Sequence, residues 1–121
     1  MYALKHKLHR VDTALRAQMR VRGSVAQPVL VEQLSEIGLD FLCDAGAQCR
    51  IMPEGHKMPG PVFGVYVDIA FHLPDSSREL QTRCRVVFCR RLSQDSYRFG
   101  CEYHQIDDAD RQLLRDFLLG Q

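Results

Sequence analysis

Residues 29–42 read VLVEQLSEIGLDFL. Two apolar, β-prone runs at residues 29–34 and 39–42 are separated by the four residues SEIG. Gly38 has no Cβ, so it can take the positive φ that a tight turn often requires. The pattern therefore predicts two strands joined by a turn. The Ser35 hydroxyl and the bare backbone of Gly38 also make this turn a candidate contact for a polar ligand.

Further strands are predicted on the C-terminal side of this hairpin. Residues 49–52 suit a short strand. Residues 62–73, 80–92 and 97–104 are longer, and they alternate side chains with the period of two that a half-buried strand requires. Several antiparallel strands linked by short turns predict a small β-barrel or sandwich.

A helix is predicted at each end of the chain. Between residues 3 and 19, apolar side chains recur at steps of 4, 3, 4 and 4, which is typical of an amphipathic helix. These side chains are Leu4, Leu8, Val11, Leu15 and Met19. We expect this stripe to be covered by the barrel or by the same helix of another copy, so a homo-oligomer is one expected state. At the C-terminus, Asp107 or Asp108 can cap a helix that Gly120 ends.

Length and composition indicate one globular domain. The chain has 121 residues, 45% of them hydrophobic and 26% charged, which is typical of a folded protein and not of a disordered one. No apolar run approaches the roughly 20 residues that span a bilayer. The N-terminus also lacks the apolar segment of a signal peptide. We therefore expect a cytoplasmic protein without membrane insertion.

The net charge of +1 is unevenly distributed. Residues 1–22 carry six basic residues and one acidic residue, a net charge of +5, and the remainder carries −4. A basic arm on an acidic body predicts an anionic partner, such as a phosphate-bearing ligand, a nucleic acid or an acidic protein surface. We do not expect nucleic-acid binding, because tryptophan is absent and no series of base-stacking aromatic residues is evident.

The five cysteines form no C-x-x-C pair, and their odd number argues against a complete set of disulfides. Three of them fall in strand-like runs, where a free cysteine packs as a small apolar side chain. Their spacing with His72 and His104 matches no standard zinc pattern, so we expect no metal site. Asp68, His72 and Cys43 form no nucleophile–base signature, and we expect no enzymatic activity.

Residues 33–38, QLSEIG, resemble the D/N-x-S-x-x-G motif of PilZ domains, the bacterial receptors for cyclic di-GMP. Ser35 and Gly38 match the motif, and Gln33 stands where the family has Asp or Asn. The sequence YRFGCEY at residues 97–103, followed by a leucine-rich helix, is similar to the last strand and helix of the family. The resemblance covers about residues 20–119 and implies a six-stranded antiparallel β-barrel with a helix packed at its end.

The resemblance divides the chain into a basic amphipathic helix or arm at residues 1–22 and a PilZ-like barrel with its C-terminal helix at residues 23–121. PilZ receptors carry a second motif, R-x-x-x-R, upstream of the first strand, and Arg16 and Arg20 match its spacing. Two guanidinium groups in series can bind phosphates and guanine edges. The ligand site implied by the resemblance consists of Arg16, Arg20, Gln33, Ser35 and Gly38.

This resemblance implies a non-enzymatic receptor for cyclic di-GMP that signals when its N-terminal arm closes over the ligand. Two departures from the family pattern favour an alternative. Gln33 is neutral and one carbon longer than the family's Asp, and Arg20 precedes Gln33 by only 13 residues. In the alternative, the protein does not bind cyclic di-GMP and acts as an oligomerising interaction module in pilus, motility or virulence systems. A protein partner is expected in both cases.

Overall fold

The computed structural model describes residues 10–53 and 64–121. These residues form six β-strands and two α-helices. In chain order the elements are β1 (Val11–Arg20), β2 (Gln27–Leu34), β3 (Gly38–Cys43), α1 (Ala45–Ile51), β4 (Tyr66–His72), β5 (Glu79–Ser93), β6 (Ser96–Ile106) and α2 (Asp108–Leu119). Neither of these helices is long and apolar enough to cross a membrane.

The six strands form a closed antiparallel barrel in the order β1-β2-β3-β6-β5-β4. The barrel closes at β1, which pairs with β2 on one side and with β4 on the other. Each of the described strands therefore has hydrogen-bonded neighbours on both sides, and closure removes the open edges that a flat sheet would present. The six-stranded antiparallel barrel predicted from the sequence is confirmed.

The core is formed by side chains at alternating positions along each strand, which point into the barrel. Phe41, Phe71 and Phe99 are fully buried, and the rings of Phe41 and Phe99 stack with their centroids 5.3 Å apart. These two residues are direct partners across the β3–β6 ladder. A stacked aromatic pair on one ladder stabilises both the core and the register of its two strands.

The predicted N-terminal helix is wrong over residues 11–19, because Val11–Arg20 is a strand. These residues also alternate with a period of two, so that Ala17 and Met19 are buried and the even-numbered side chains between and beside them are exposed. Pairing with both β2 and β4 decides between the two periods, since a helix at this position would leave two strands with unpaired edges. Residues 3–9 of the predicted helix lie outside the described part of the chain.

The apolar residues assigned to that helix within residues 11–19 contribute to the barrel as part of a strand. Leu15 and Met19 pack against the core of their own barrel, so this stretch does not form a helical seam between copies. The barrel also begins at Val11, earlier than the boundary at residue 23 that the sequence predicted.

Helix α1 takes the place of the short strand predicted at residues 49–52. The helix is preceded by Asp44, whose carboxylate accepts a hydrogen bond of 2.8 Å from the backbone N–H of Ala47. An aspartate at this position is a strong N-cap, because it satisfies one of the N–H groups that a helix start leaves without a partner. β1 therefore supplies the barrel strand that the pattern had assigned to residues 49–52.

Helix α2 confirms the predicted C-terminal helix. Leu114 and Leu118 belong to the buried core, and Asp110 in the first turn is only 3% exposed. The Asp110 carboxylate accepts hydrogen bonds from Nε of Arg78 at 2.7 Å and from the backbone N–H of Gln81 at 3.3 Å. These contacts tie the start of the helix to the start of β5.

We expect Asp110→Ala to lower the free energy of unfolding by about 1–3 kcal/mol, because it leaves the N–H of Gln81 without its acceptor. Asp108→Ala is the matched control, since Asp108 is exposed and lies in the same first turn of α2. Urea unfolding followed by circular dichroism measures both variants. Equal losses in the two would contradict the anchoring role of Asp110.

Candidate ligand-binding site

The turn between β2 and β3 is a compact hydrogen-bonded loop. The backbone N–H of Ser35 donates to the carbonyl of Gly38 at 2.9 Å. The Ser35 hydroxyl accepts from the N–H groups of Ile37 and Gly38 at 3.3 and 3.2 Å, and it donates to the Gly38 carbonyl at 3.2 Å. Ser35 is 6% exposed. Its hydroxyl is therefore committed to shaping the turn.

Gly38 is needed for close packing and not for an unusual backbone angle. Among the described glycines, positive φ occurs at Gly23, at 76°, so the turn does not use the positive φ that the sequence suggested for Gly38. A Cβ on Gly38 would lie 2.0 Å from the carbonyl oxygen of Cys101 on β6. The missing side chain allows β3 to approach β6 closely at the point where the turn joins the barrel.

Two neighbouring elements hold this turn in place. Tyr103 of β6 donates its hydroxyl to the carbonyl of Ser35 at 3.0 Å and its backbone N–H to the carbonyl of Ile37 at 2.9 Å. Burial raises the pKa of the Tyr103 hydroxyl well above its usual value, so the group stays protonated and donates at neutral pH. On the exposed side, Arg115 of α2 forms an ion pair of 3.0 Å with Glu36.

A cation, an amide and a carboxylate meet beside the turn. Arg10 lies directly before β1 and places its Nη1 atom 3.5 Å from Oε1 of Gln33. Nε2 of Gln33 donates to Oδ1 of Asp12 at 3.2 Å. Both contacts are solvent-exposed, so the guanidinium and the carboxylate retain donor and acceptor positions that a ligand can use.

Arg10 and Gln33 border a small cleft of about 100 Å³, and Asp12 is linked to it through its hydrogen bond with Gln33. Its lining includes Arg10, Gln33, Ser35, Gly38, Asp40 and Phe88. Pockets that enclose a small-molecule ligand usually measure about 300–1,000 Å³. A ligand of dinucleotide size would therefore lie across the mouth of the cleft, in contact with its exposed polar rim.

A model of the PilZ domain family matches residues 5–120 of the chain. The chain is a member of the PilZ domain family. The match begins ahead of β1, in agreement with a barrel that includes residues 11–20. Comparison with curated protein sequences finds no match.

Solved structures of PilZ proteins share the fold. MotI/DgrA of Bacillus subtilis, described as an inhibitor of motility, aligns with a TM-score of 0.70 and 17% identity over 94% of this chain and 49% of its own. The PilZ domain of YcgR from Escherichia coli, solved with cyclic di-GMP, gives a TM-score of 0.63 and 10% identity over 94% of this chain and 88% of its own.

The complex of K. pneumonia MrkH with cyclic di-GMP gives a TM-score of 0.64 and 11% identity over 93% of this chain and 50% of its own. At these identities the likeness is one of fold. The chain spans about half the length of MotI/DgrA and of MrkH.

This PilZ barrel brings together three of the five residues that the sequence implied as a site. Gln33, Ser35 and Gly38 border one cleft. Arg16 and Arg20 are exposed on β1 and border two other clefts, one beside β2 and β3 and the other beside β4 and β5. Because β1 pairs with β2 from Val11 to Met19 and with β4 from Ala17 to Arg20, its backbone is fixed, and neither arginine can fold over the turn while the barrel stays closed.

Arg10 occupies the place expected for a PilZ arginine motif, immediately upstream of the first strand. Sequence reasoning did not single out Arg10, because the predicted helix placed the start of the barrel after residue 22. The alternation that starts at Val11 was the signal that would have found it. Arg10 precedes Gln33 by 23 residues, so the short spacing of the Arg20 assignment disappears. The two arginines of R-x-x-x-R are four residues apart, so with Arg10 as the second of them, the first position of the motif is occupied by His6.

Three of the thiols of this PilZ barrel, those of Cys43, Cys89 and Cys101, are kept protonated by burial. Burial, with a smaller effect from the neighbouring Asp44 carboxylate, raises the pKa of Cys43 to about 12. Burial also raises the pKa of Cys89 and of Cys101. Protonated thiols are poor nucleophiles and poor metal ligands. Within residues 10–53 and 64–121, no three His, Cys, Asp or Glu side chains are grouped closely enough to hold a metal ion.

Gly38→Ala should destabilise the barrel by about 1–3 kcal/mol, because the new methyl group overlaps the carbonyl of Cys101 and forces β3 away from β6. Gly46→Ala is the control, since a Cβ there meets the side chain of Asp44 at an ordinary 3.4 Å. Thermal and urea unfolding of the two variants measure the difference. A Gly38→Ala protein as stable as Gly46→Ala would show that the close approach is not required.

Cys43→Ala tests the buried thiol through the pH dependence of stability. As pH rises from 9.0 towards 12, the unfolded chain releases a proton that the folded protein keeps, so the free energy of unfolding falls across this window. The slope from one such group is at most about 1.4 kcal/mol per pH unit. We expect Cys43→Ala to lose stability less steeply than the wild type. Parallel curves for Cys43→Ala and the wild type would contradict the assignment.

Proposed function

We propose that this PilZ domain is a non-enzymatic, cytoplasmic receptor for cyclic di-GMP. The proposed ligand lies across the cleft beside the Ser35–Gly38 turn and contacts its polar rim. Membership of the PilZ family supports this function. The structures of YcgR and MrkH, which share the fold, hold cyclic di-GMP.

The position of Arg10 carries the proposal. Its contact with Gln33 is 3.5 Å long and involves a neutral amide, so the charge of the guanidinium is not cancelled there and most of its five N–H donors face solvent. Exposed Arg83 and half-buried Arg98 are differently placed, since Arg83 pairs with Asp68 and Arg98 pairs with Glu32. A guanidinium with free donors beside a cleft is suited to bidentate binding of a phosphate.

The other predicted site residues act indirectly in this proposal, either by supporting Arg10 or through their charge. Gln33 orients Arg10, and Ser35 and Gly38 shape the turn that supports both. Arg16 and Arg20 add positive charge on the exposed face of β1, which attracts an anionic ligand over a distance without contacting it. Their contribution should therefore depend on ionic strength.

In this proposal, the residues ahead of β1 transmit ligand binding to a partner protein. Their sequence includes Lys5, His6 and Lys7, which can supply further contacts to phosphate or guanine. Ligand binding would exchange the contacts of this segment and change what it offers to a partner protein. The rearrangement is assigned to this segment because β1 is fixed in the barrel by its pairing with β2 from Val11 to Met19 and with β4 from Ala17 to Arg20.

One feature of the cleft favours the alternative function. Gln33 already bridges Arg10 and Asp12, so the polar groups at the rim have partners without a ligand. A PilZ domain of this kind would act as a protein-interaction module in pilus, motility or virulence systems. MotI/DgrA, with the same fold, is described as an inhibitor of motility.

Isothermal titration with cyclic di-GMP separates the two functions. If the protein is a receptor, the wild type binds with a micromolar or lower dissociation constant, about −8 kcal/mol or better. Arg10→Ala should weaken binding at least tenfold, about 1.4 kcal/mol, because it removes the phosphate donor. Arg16→Ala and Arg20→Ala are controls that each remove the same charge from the exposed face of β1, and we expect them to stay within about threefold of the wild type.

Absence of binding by a folded wild-type protein would overturn the receptor function and favour the interaction module. A larger loss in Arg16→Ala or Arg20→Ala than in Arg10→Ala would instead move the ligand to the cleft that the substituted arginine borders. Repeating the titrations at higher salt distinguishes a direct contact from long-range attraction, since only the latter is strongly screened.

A further inference from the structure

We propose that Asp12 supplies the carboxylate that the motif lacks at Gln33, and that it recognises the hydrogen-bond donors on the edge of a guanine base. This inference rests on the proposed function. It assigns specificity to a residue of β1 that lies outside both sequence motifs.

The strand register brings Asp12 and Gln33 together. They are direct partners in the β1–β2 ladder. In the β2–β3 ladder the register shifts between Val31 and Gln33, so Glu32 is an extra residue on β2. Glu32 and Gln33 are both half-buried between the fully buried Val31 and Leu34, and both extend away from the core. The bulge therefore turns Gln33 to the same outer side as Asp12.

The two charged neighbours determine how the Gln33 amide is oriented. Its oxygen faces the guanidinium of Arg10, and its NH₂ group faces the carboxylate of Asp12. The reversed amide would point two donors at a cation and an acceptor at an anion, so the observed orientation is strongly preferred. Gln33 is thus a neutral link between a cation that borders the cleft and a carboxylate next to it on β1.

Asp12 has acceptor capacity to spare. A carboxylate offers about four lone-pair positions, and the bond to Gln33 uses one of them. Asp12 is exposed, so the rest face solvent. Guanine presents two adjacent donors, N1–H and the N2 amino group, which match the two oxygens of a carboxylate. Adenine presents an acceptor at N1 and cannot make the same pair of bonds. A carboxylate at this position therefore favours guanine over adenine.

Removing the Asp12 carboxylate changes the affinity for cyclic di-GMP in opposite directions, depending on whether Asp12 accepts hydrogen bonds from guanine or only repels the anionic ligand. Cyclic di-GMP is an anion, so a carboxylate that is merely nearby repels it, and its removal should strengthen binding. A carboxylate that accepts hydrogen bonds from the base does the opposite, because its removal leaves the donors of guanine unpaired. Asp12→Ala therefore gives opposite results under the two explanations.

The experiment titrates the full chain with cyclic di-GMP and with cyclic di-AMP, which has the same phosphates and sugars. We expect Asp12→Ala to weaken binding of cyclic di-GMP at least tenfold and to leave that of cyclic di-AMP unchanged or stronger. The double variant Asp12→Ala/Gln33→Asp returns a carboxylate to the motif position and should recover most of the lost preference for guanine. Asp108→Ala, an exposed carboxylate on α2, controls for the change in net charge.

Two results would overturn this inference while leaving the receptor function intact. One is unchanged or tighter binding of cyclic di-GMP by Asp12→Ala. The other is an equal loss for both ligands, which would indicate a structural role, and thermal unfolding of the variant would then show a matching decrease in stability. If the folded wild type binds neither ligand, the receptor function and this inference both fail, and the wild-type titration alone identifies that case.

Discussion

Closure of the barrel by β1 is the constraint on which the rest of this structure depends. β1 is the strand that connects β2 to β4, and without it these two strands would present open edges. The core also depends on it, since Ala17 and Met19 are among the most deeply buried side chains. By closing the barrel, the same strand brings Arg10 and Asp12 to the β2–β3 turn. A structural requirement and a candidate site thus share one element.

The candidate site separates support from recognition. Ser35 and Gly38 belong to the support, because the serine hydroxyl is used within the turn and the glycine permits contact with β6. Tyr103 and Arg115 hold the same turn from β6 and from α2. In the proposed function, recognition falls to the groups at the rim, which are exposed and have donors and acceptors to offer. A motif of this kind acts largely by fixing the backbone that presents other side chains.

The bulge at Glu32 has two consequences on the outer face of the barrel. Glu32 itself pairs with Arg98 of β6, which also lies 3.7 Å from Asp40 of β3. Gln33, the next residue, extends to Arg10 and Asp12. One extra residue in β2 therefore places two adjacent polar side chains in separate networks, which together involve β1, β2, β3 and β6. The first network also shows why Arg98, on the long strand β6, is not a free cation.

The amino-acid sequence by itself determined the class of fold, the β2–β3 hairpin, the long strands and the C-terminal helix. These features depend on local periodicity and turn residues, which act over a few positions. The sequence also contained the S-x-x-G turn and its departure at Gln33. For these elements, neighbouring residues carry enough information to specify the local backbone.

Only the tertiary structure decided the state of Val11–Arg20 and, with it, the composition of the site. That segment satisfies a helical period and a strand period alike, and the choice depends on pairing with β2 and with β4, a strand about 50 residues away in the chain. The role of Gly38 was likewise decided by Cys101, a residue distant in sequence. The meeting of Arg10, Asp12 and Gln33 follows from the same pairing. Contacts between distant segments are not encoded in local periodicity, and for that reason the match of Arg16 and Arg20 to a motif spacing could not show which charged side chains meet Gln33.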